Sequence, residues 1–181
     1  EIVSPPLRDN EQTKREIDII TKVMREMHLP PKLLYPFVKL GAKLTQGRET
    51  ELDKVQAVYE YVVKNITYDT ELAATVKSGY LPVLDEVLKV KKGICFDYAA
   101  VMATMLRSQN IPTRLEVGYM GEEYHAWISI YIKDIGWING IIEFDGTNWS
   151  LMDPTFSANS SSEELTSFIG DGSNYVLKYV Y

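Results

Sequence analysis

The 181-residue chain predicts an α+β fold, with helices in its first half and antiparallel strands in its second. Two patterns carry that expectation. Through residue 107 apolar side chains recur at three- and four-residue spacing, and from residue 113 onward they alternate with polar ones. No internal repeat is visible, and only Ser160-Ser161-Ser162 approaches low complexity.

Each helix has a local reason. Residues 10–27 place Ile17, Ile20, Met24 and Met27 on one helical face. Leu29-Pro30-Pro31 stops that helix, because proline lacks an amide donor and restricts the residue before it. A second helix is expected over 32–46, starting late or kinking at Pro36. Thr50 can cap a third, whose stripe is Leu52, Val55, Tyr59, Val62 and Val63 or Ile66. Residues 67–80 are mixed and read as loop, and Leu84 to Val90 fits a short helix leading into Lys91-Lys92-Gly93. The helix after Cys95 has the clearest pattern, Tyr98, Val101, Met102, Met105 and Leu106, and Asn110 and Pro112 close it.

The strands follow. Leu115, Val117 and Tyr119 alternate with Arg114, Glu116 and Gly118. Over His125 to Ile132, Ala126, Ile128, Ile130 and Ile132 form one face, and His125, Trp127, Ser129 and Tyr131 the other. Ile141 to Phe144, the turn Asp145-Gly146-Thr147-Asn148 and Trp149 to Asp153 fit a hairpin. Ser160 and Glu163 have capping-box spacing for a short helix, and Asn174 to Tyr181 reads as a final strand.

With 45% hydrophobic and 24% charged residues, the composition is that of an ordinary soluble domain large enough for a buried core. A net charge of -6 with no basic run argues against nucleic acid as a partner. No apolar stretch reaches the length of a membrane span. A single cysteine forms no internal disulfide, so cysteine usage leaves the compartment open. The chain starts at Glu1 rather than methionine, which fits a cleaved export signal or a trimmed chain. Twelve tyrosines and the serine-rich stretch at 157–162 lean toward an exported or cell-surface protein.

Cys95, His125 and Asp153 carry the chemistry. A thiol in the first turn of a helix meets the positive end of the helix dipole and backbone amides that can hold an oxyanion. Thiolate is the reactive form, and an imidazole is needed to hold it as an ion pair and to protonate a leaving amine. A carboxylate orients that imidazole. His125 at a strand start and Asp153 at a strand end can point to one side of a sheet packed on the Cys95 helix. Asp97 lies about 200° around that helix from Cys95, so its charge faces away from the sulfur while suiting the helix N-terminus. Taken singly, each residue also has a plain structural use: Cys95 as a buried apolar group, His125 as a satisfied half-buried ring, Asp153 before Pro154 as a turn former.

Gly93-Ile94-Cys95-Phe96-Asp97-Tyr98-Ala99, Leu106 through Arg114, Gly118-Tyr119, His125-Ala126-Trp127 and Met152-Asp153-Pro154-Thr155 together resemble the transglutaminase-like superfamily, and specifically its bacterial single-domain members. The resemblance spans residues 50–156 with the motifs in order. It implies a papain-like core, with the nucleophile Cys95 at the N-terminus of a central helix on an antiparallel sheet, His125 as general acid/base and Asp153 as orienting carboxylate. The N-terminal helices at 10–46 and the tail after 156 fall outside the resemblance, and the expected division is an N-terminal helical extension, 1–49, packed on a catalytic domain, 50–181. Transglutaminases proper add β domains and calcium sites for which the chain has no room. They also set an aromatic side chain, typically tryptophan, upstream of the cysteine. Trp127, Trp137 and Trp149 all follow Cys95, so Tyr68 is the upstream substitute through its hydroxyl, or else a loop tyrosine packed on the core. Trp127 shares the His125 face and either shields the imidazole, contacts substrate or packs beneath the sheet.

The expected activity is acyl transfer on peptide or glutamine-type amide bonds through a thioester, with hydrolysis favoured. Protein-glutamine transamidation and a non-catalytic binding domain are the alternatives. The expected partner is a protein or peptide substrate, and the chain is expected to be a monomer. No cofactor is expected, and no metal, since one cysteine and two histidines (His28 far from the others) supply no ligand set.

Overall fold

A computed structural model describes residues 35–77, 79–121, 123–139, 142–144, 149–151 and 175–181. Five helices and eight strands lie within them: α1 (Tyr35–Thr45), α2 (Glu51–Asn65), β1 (Thr67–Tyr68), α3 (Thr70–Thr75), α4 (Leu84–Val90), β2 (Lys92–Gly93), α5 (Cys95–Ser108), β3 (Thr113–Met120), β4 (Glu123–Ile132), β5 (Gly136–Asn139), β6 (Ile142–Phe144), β7 (Trp149–Leu151) and β8 (Tyr175–Val180). The expected helices over 10–27 and after Ser160 lie outside the described residues.

Local sequence marks the starts of α1, α2 and α3. Pro36 falls in the first turn of α1, where its missing amide costs nothing. The Thr50 hydroxyl accepts from the Asp53 amide at 3.1 Å, and the Thr50 amide donates to the Asp53 carboxylate at 3.3 Å, a reciprocal box that opens α2. Residues 67–80 are more ordered than the expected loop. Asp69 accepts from the Leu72 amide at 2.9 Å and caps α3, while Thr67 and Tyr68 pair in parallel with Lys92 and Gly93.

Helix α5 is the centre of the molecule. Every residue from Asp97 to Leu106 is buried, and α1, α2, β3 and β4 all pack on it. Phe37, Val58, Val62, Met102, Met105, Leu115, Ile128 and Ile130 fill the core around it. The buried Tyr98 hydroxyl donates to the Ile66 carbonyl at 2.6 Å, joining α5 to the C-terminal end of α2. The Arg107 guanidinium, at the other end of α5, donates to the carbonyls of Thr113 and Tyr181, both at 2.8 Å.

One face of α5 lies on a four-stranded antiparallel sheet ordered β5-β4-β3-β8. Leu115 opposes Ile128 and Gly118 opposes His125 in the β3–β4 ladder. Strand β8 runs along the outer side of β3 with a register shift between Val117 and Gly118, and Tyr181 continues the pairing through two bonds with Leu115. Strands β6 and β7 form the expected hairpin, with Phe144 opposite Trp149.

Candidate active site

Cys95 is the first residue of α5 and is half-buried against the core. The chain reaches it through β2, whose pairing with β1 is fixed by the Thr67 amide on the Lys91 carbonyl and the Asp69 amide on the Gly93 carbonyl, each 2.9 Å. That parallel register sets Tyr68 opposite Gly93, two residues before the cysteine. Tyr68 itself is half-buried and packs on the core.

The start of α5 is built by Asp97. Ile94 occupies the N-cap position and has no side-chain acceptor to offer. Asp97, fully buried, fills that need: one carboxylate oxygen accepts from the Ile94 amide at 2.7 Å, and the other accepts from the Tyr80 hydroxyl at 2.8 Å. The Asp97 and Tyr98 amides both donate to the Ile94 carbonyl. Among the described residues the amides of Cys95 and Phe96 meet no backbone acceptor, as expected for the first helical turn. Burial pushes the Asp97 carboxyl above the ordinary aspartate range, and the bonds from Ile94 and Tyr80 work against that rise. Burial, then the hydrogen bond to Asp97, pushes the Tyr80 phenol up as well. Gly93 makes room for this arrangement, since a Cβ there would stand 2.6 Å from the Asp97 Cβ. The sequence places Asp97 at the helix N-terminus but carries no local signal for Tyr80, whose partner lies 17 residues away.

His125 is the third residue of β4 and is buried. Its ring stacks on Trp127 with centroids 6.4 Å apart, and Tyr175 of β8 meets Trp127 edge-on at 4.9 Å. Strand alternation puts His125 with Trp127 and Ser129, whereas Ala126, Ile128, Ile130 and Ile132 on the other face join the core around α5. The middle of β4 is thus buried on both sides, and the Ser129 hydroxyl donates to the buried Glu116 carboxylate of β3. Asp153 lies outside the described residues, two positions beyond the end of β7. Among the described residues no three His, Cys, Asp or Glu side chains gather into a metal-binding group, and no helix is long and apolar enough to cross a membrane.

Residues 38–140 match the family model of the Transglutaminase-like superfamily, more than half of the chain, and the chain belongs to that superfamily. It is 32% identical over 133 residues to the uncharacterized protein YebA of Bacillus subtilis (strain 168), covering 63% of this chain and 18% of YebA. A candidate cysteine protease from Cytophaga hutchinsonii has a similar structure, with a TM-score of 0.52 at 19% identity over 100% of this chain and 51% of that one. The periplasmic domain of TgpA from Pseudomonas aeruginosa gives 0.53 at 21% identity over 79% of this chain and 51% of that one. At such identities the structural likeness concerns the fold, which is the transglutaminase-like, papain-like α+β arrangement. The chain spans a small part of YebA and about half of each of the two structures.

Proposed function

We propose that this domain is a cysteine-nucleophile acyl-transfer enzyme acting on peptide or glutamine-type amides in proteins. The observation that carries the proposal is Cys95 itself, at the head of a buried helix whose first amides have no backbone acceptor. In this reading the Cys95 thiolate adds to the amide carbonyl, and the oxyanion is held by those amides. The C–N bond breaks as His125 gives its proton to the leaving amine, leaving a thioester on Cys95. Water then loses a proton to His125 and attacks the thioester, which releases the acid and restores the thiolate. Asp153 orients the imidazole and balances its charge.

Chain direction supports the pairing of Cys95 with His125. Helix α5 runs away from Cys95, a short turn reverses the chain at Ile111-Pro112, and β3 returns along α5, so β4 sets out from the Cys95 end. Because the isoleucine face of β4 is the one on α5, the proposed contact passes around the N-terminal end of that helix rather than through the core. Tyr68, opposite Gly93, is the proposed upstream aromatic whose hydroxyl aids the oxyanion. Trp127 shields the His125 ring on which it stacks.

Superfamily membership supports both fates of the acyl-enzyme, attack by water or by an amine. Hydrolysis is our reading, and transamidation the second. Likeness to a periplasmic domain supports an exported or cell-surface location. Iodoacetamide should label Cys95 well below pH 8, with a rate that His125→Ala collapses. A labelling profile like that of a free thiol would instead leave a binding domain. Incubation with a glutamine-rich protein and a fluorescent amine separates the two fates, and amine incorporation in excess of deamidation would replace hydrolysis with transamidation.

A further inference from the structure

We infer that Asp97, held by Tyr80, is a positioning residue that fixes the first turn of α5 so that the Cys95 thiol and the open amides of that turn face a substrate carbonyl together. The inference rests on reading Cys95 as the nucleophile. Three observations converge on it. The Asp97 carboxylate is fully buried, and its two named donors come from different places: the Ile94 amide immediately before Cys95 and the Tyr80 hydroxyl from the segment before α4. Gly93 leaves space that any Cβ would take from the Asp97 side chain. The Asp69 amide grips the Gly93 carbonyl from the other side. The helix start is therefore fixed from both sides, more firmly than a solvent-facing cap would require.

An alternative role for a carboxylate here is purely electrostatic, and it has the opposite sign. A negative group near a thiol raises the thiol pKa, so neutralising it should ease thiolate formation. A positioning role predicts that loosening the turn separates the thiol from the helix amides and from the imidazole, so thiolate formation becomes harder. Among the described residues the charged and titratable groups around this turn are Asp97 on α5, Tyr80, Tyr68 on β1 opposite Gly93, Asp69 at the head of α3, Lys92 on β2 (3.0 Å from Asp69) and, in the proposed triad, His125 on β4.

The test is the pH midpoint of iodoacetamide labelling, read with the melting temperature, for the wild type, Asp97→Asn and Tyr80→Phe. Asp97→Asn should raise the midpoint by about one unit, roughly tenfold slower labelling at a pH below both midpoints. Tyr80→Phe keeps the Ile94 bond and should move it the same way by less; it removes only one hydroxyl, so it reports even if Asp97→Asn does not fold. A depressed wild-type midpoint that stays put or falls in Tyr80→Phe overturns the inference, including the case where only the melting temperature drops. A wild-type midpoint at the free-thiol value overturns the nucleophile reading itself, and the two failures are thereby told apart.

Discussion

Asp97 follows Cys95 by two residues and Asp69 is brought beside the same segment by its amide's bond to the Gly93 carbonyl, yet their surroundings pull their acidities in opposite directions. Asp69 is held below the ordinary range by the Leu72 amide and then by Lys92, so what it adds to stability is present at neutral pH and fades as pH falls through its lowered value. Asp97 is pushed up by burial, so the folded state binds its proton more tightly than the unfolded chain does. Its contribution is therefore greatest in acid and declines as pH rises from the ordinary aspartate value through the raised one, then levels off. Urea midpoints of the wild type and Asp97→Asn, compared from about pH 4 upward, should show the stability difference shrinking in the wild type's disfavour across that window. A difference that moved in favour of the wild type would contradict the assignment. At this scale the sequence is informative about Cys95, because its motif is contiguous, and much less so about Tyr80, whose partner lies 17 residues away.

At the scale of elements, local signals were readable and non-local ones were not. Thr50 with Asp53 announces α2 because the whole cap lies within four residues. Strands β1 and β2 have two residues each, too short for any alternation to register, and exist only because each finds the other. Strand β5, Gly136–Asn139, escaped for the same reason: its reality lies in pairing with Ser129 through Ile132. Gly118 shows how tight such pairing becomes. A Cβ there would stand 2.1 Å from the Val176 carbonyl oxygen of β8 and 2.9 Å from Cη2 of Trp127. Backbone cannot yield as a flexible side chain would, so Gly118→Ala should cost at least the 1–3 kcal/mol typical of overpacking, read from urea unfolding. It should also disturb the ring stacked beside His125. A variant as stable as the wild type would show that β8 is free to move aside.

At the largest scale, the described residues are organised around a single helix that is buried along most of its length and carries Cys95 at one end. The α+β architecture followed from the order of the two periodicities, and the family from the motif segments around Cys95, His125 and Asp153 read in sequence order. The division of β4 into two faces was also legible from alternation, but which face meets α5 and the path from His125 to Cys95 were not, since they depend on how the sheet lies against the helix. Ile130, fully buried between the sheet and α5, should be among the costliest residues to truncate. Ile130→Ala is expected to lose roughly 2–5 kcal/mol, with the denaturant slope unchanged if unfolding stays all-or-none. A loss below about 1 kcal/mol would mean that this layer collapses around the gap.

The short parallel pairing of β1 with β2 has a consequence for how such a domain can diversify. It closes the base of an excursion that contains α3 and α4, returning the chain to the same point whatever lies between. The exposed positions of that excursion can therefore drift without displacing Cys95, provided Val87 and its leucine neighbours keep their place in the core and a hydroxyl equivalent to that of Tyr80 still reaches Asp97. Variation on the exposed surface near Cys95 is thereby uncoupled from the placement of Cys95 itself.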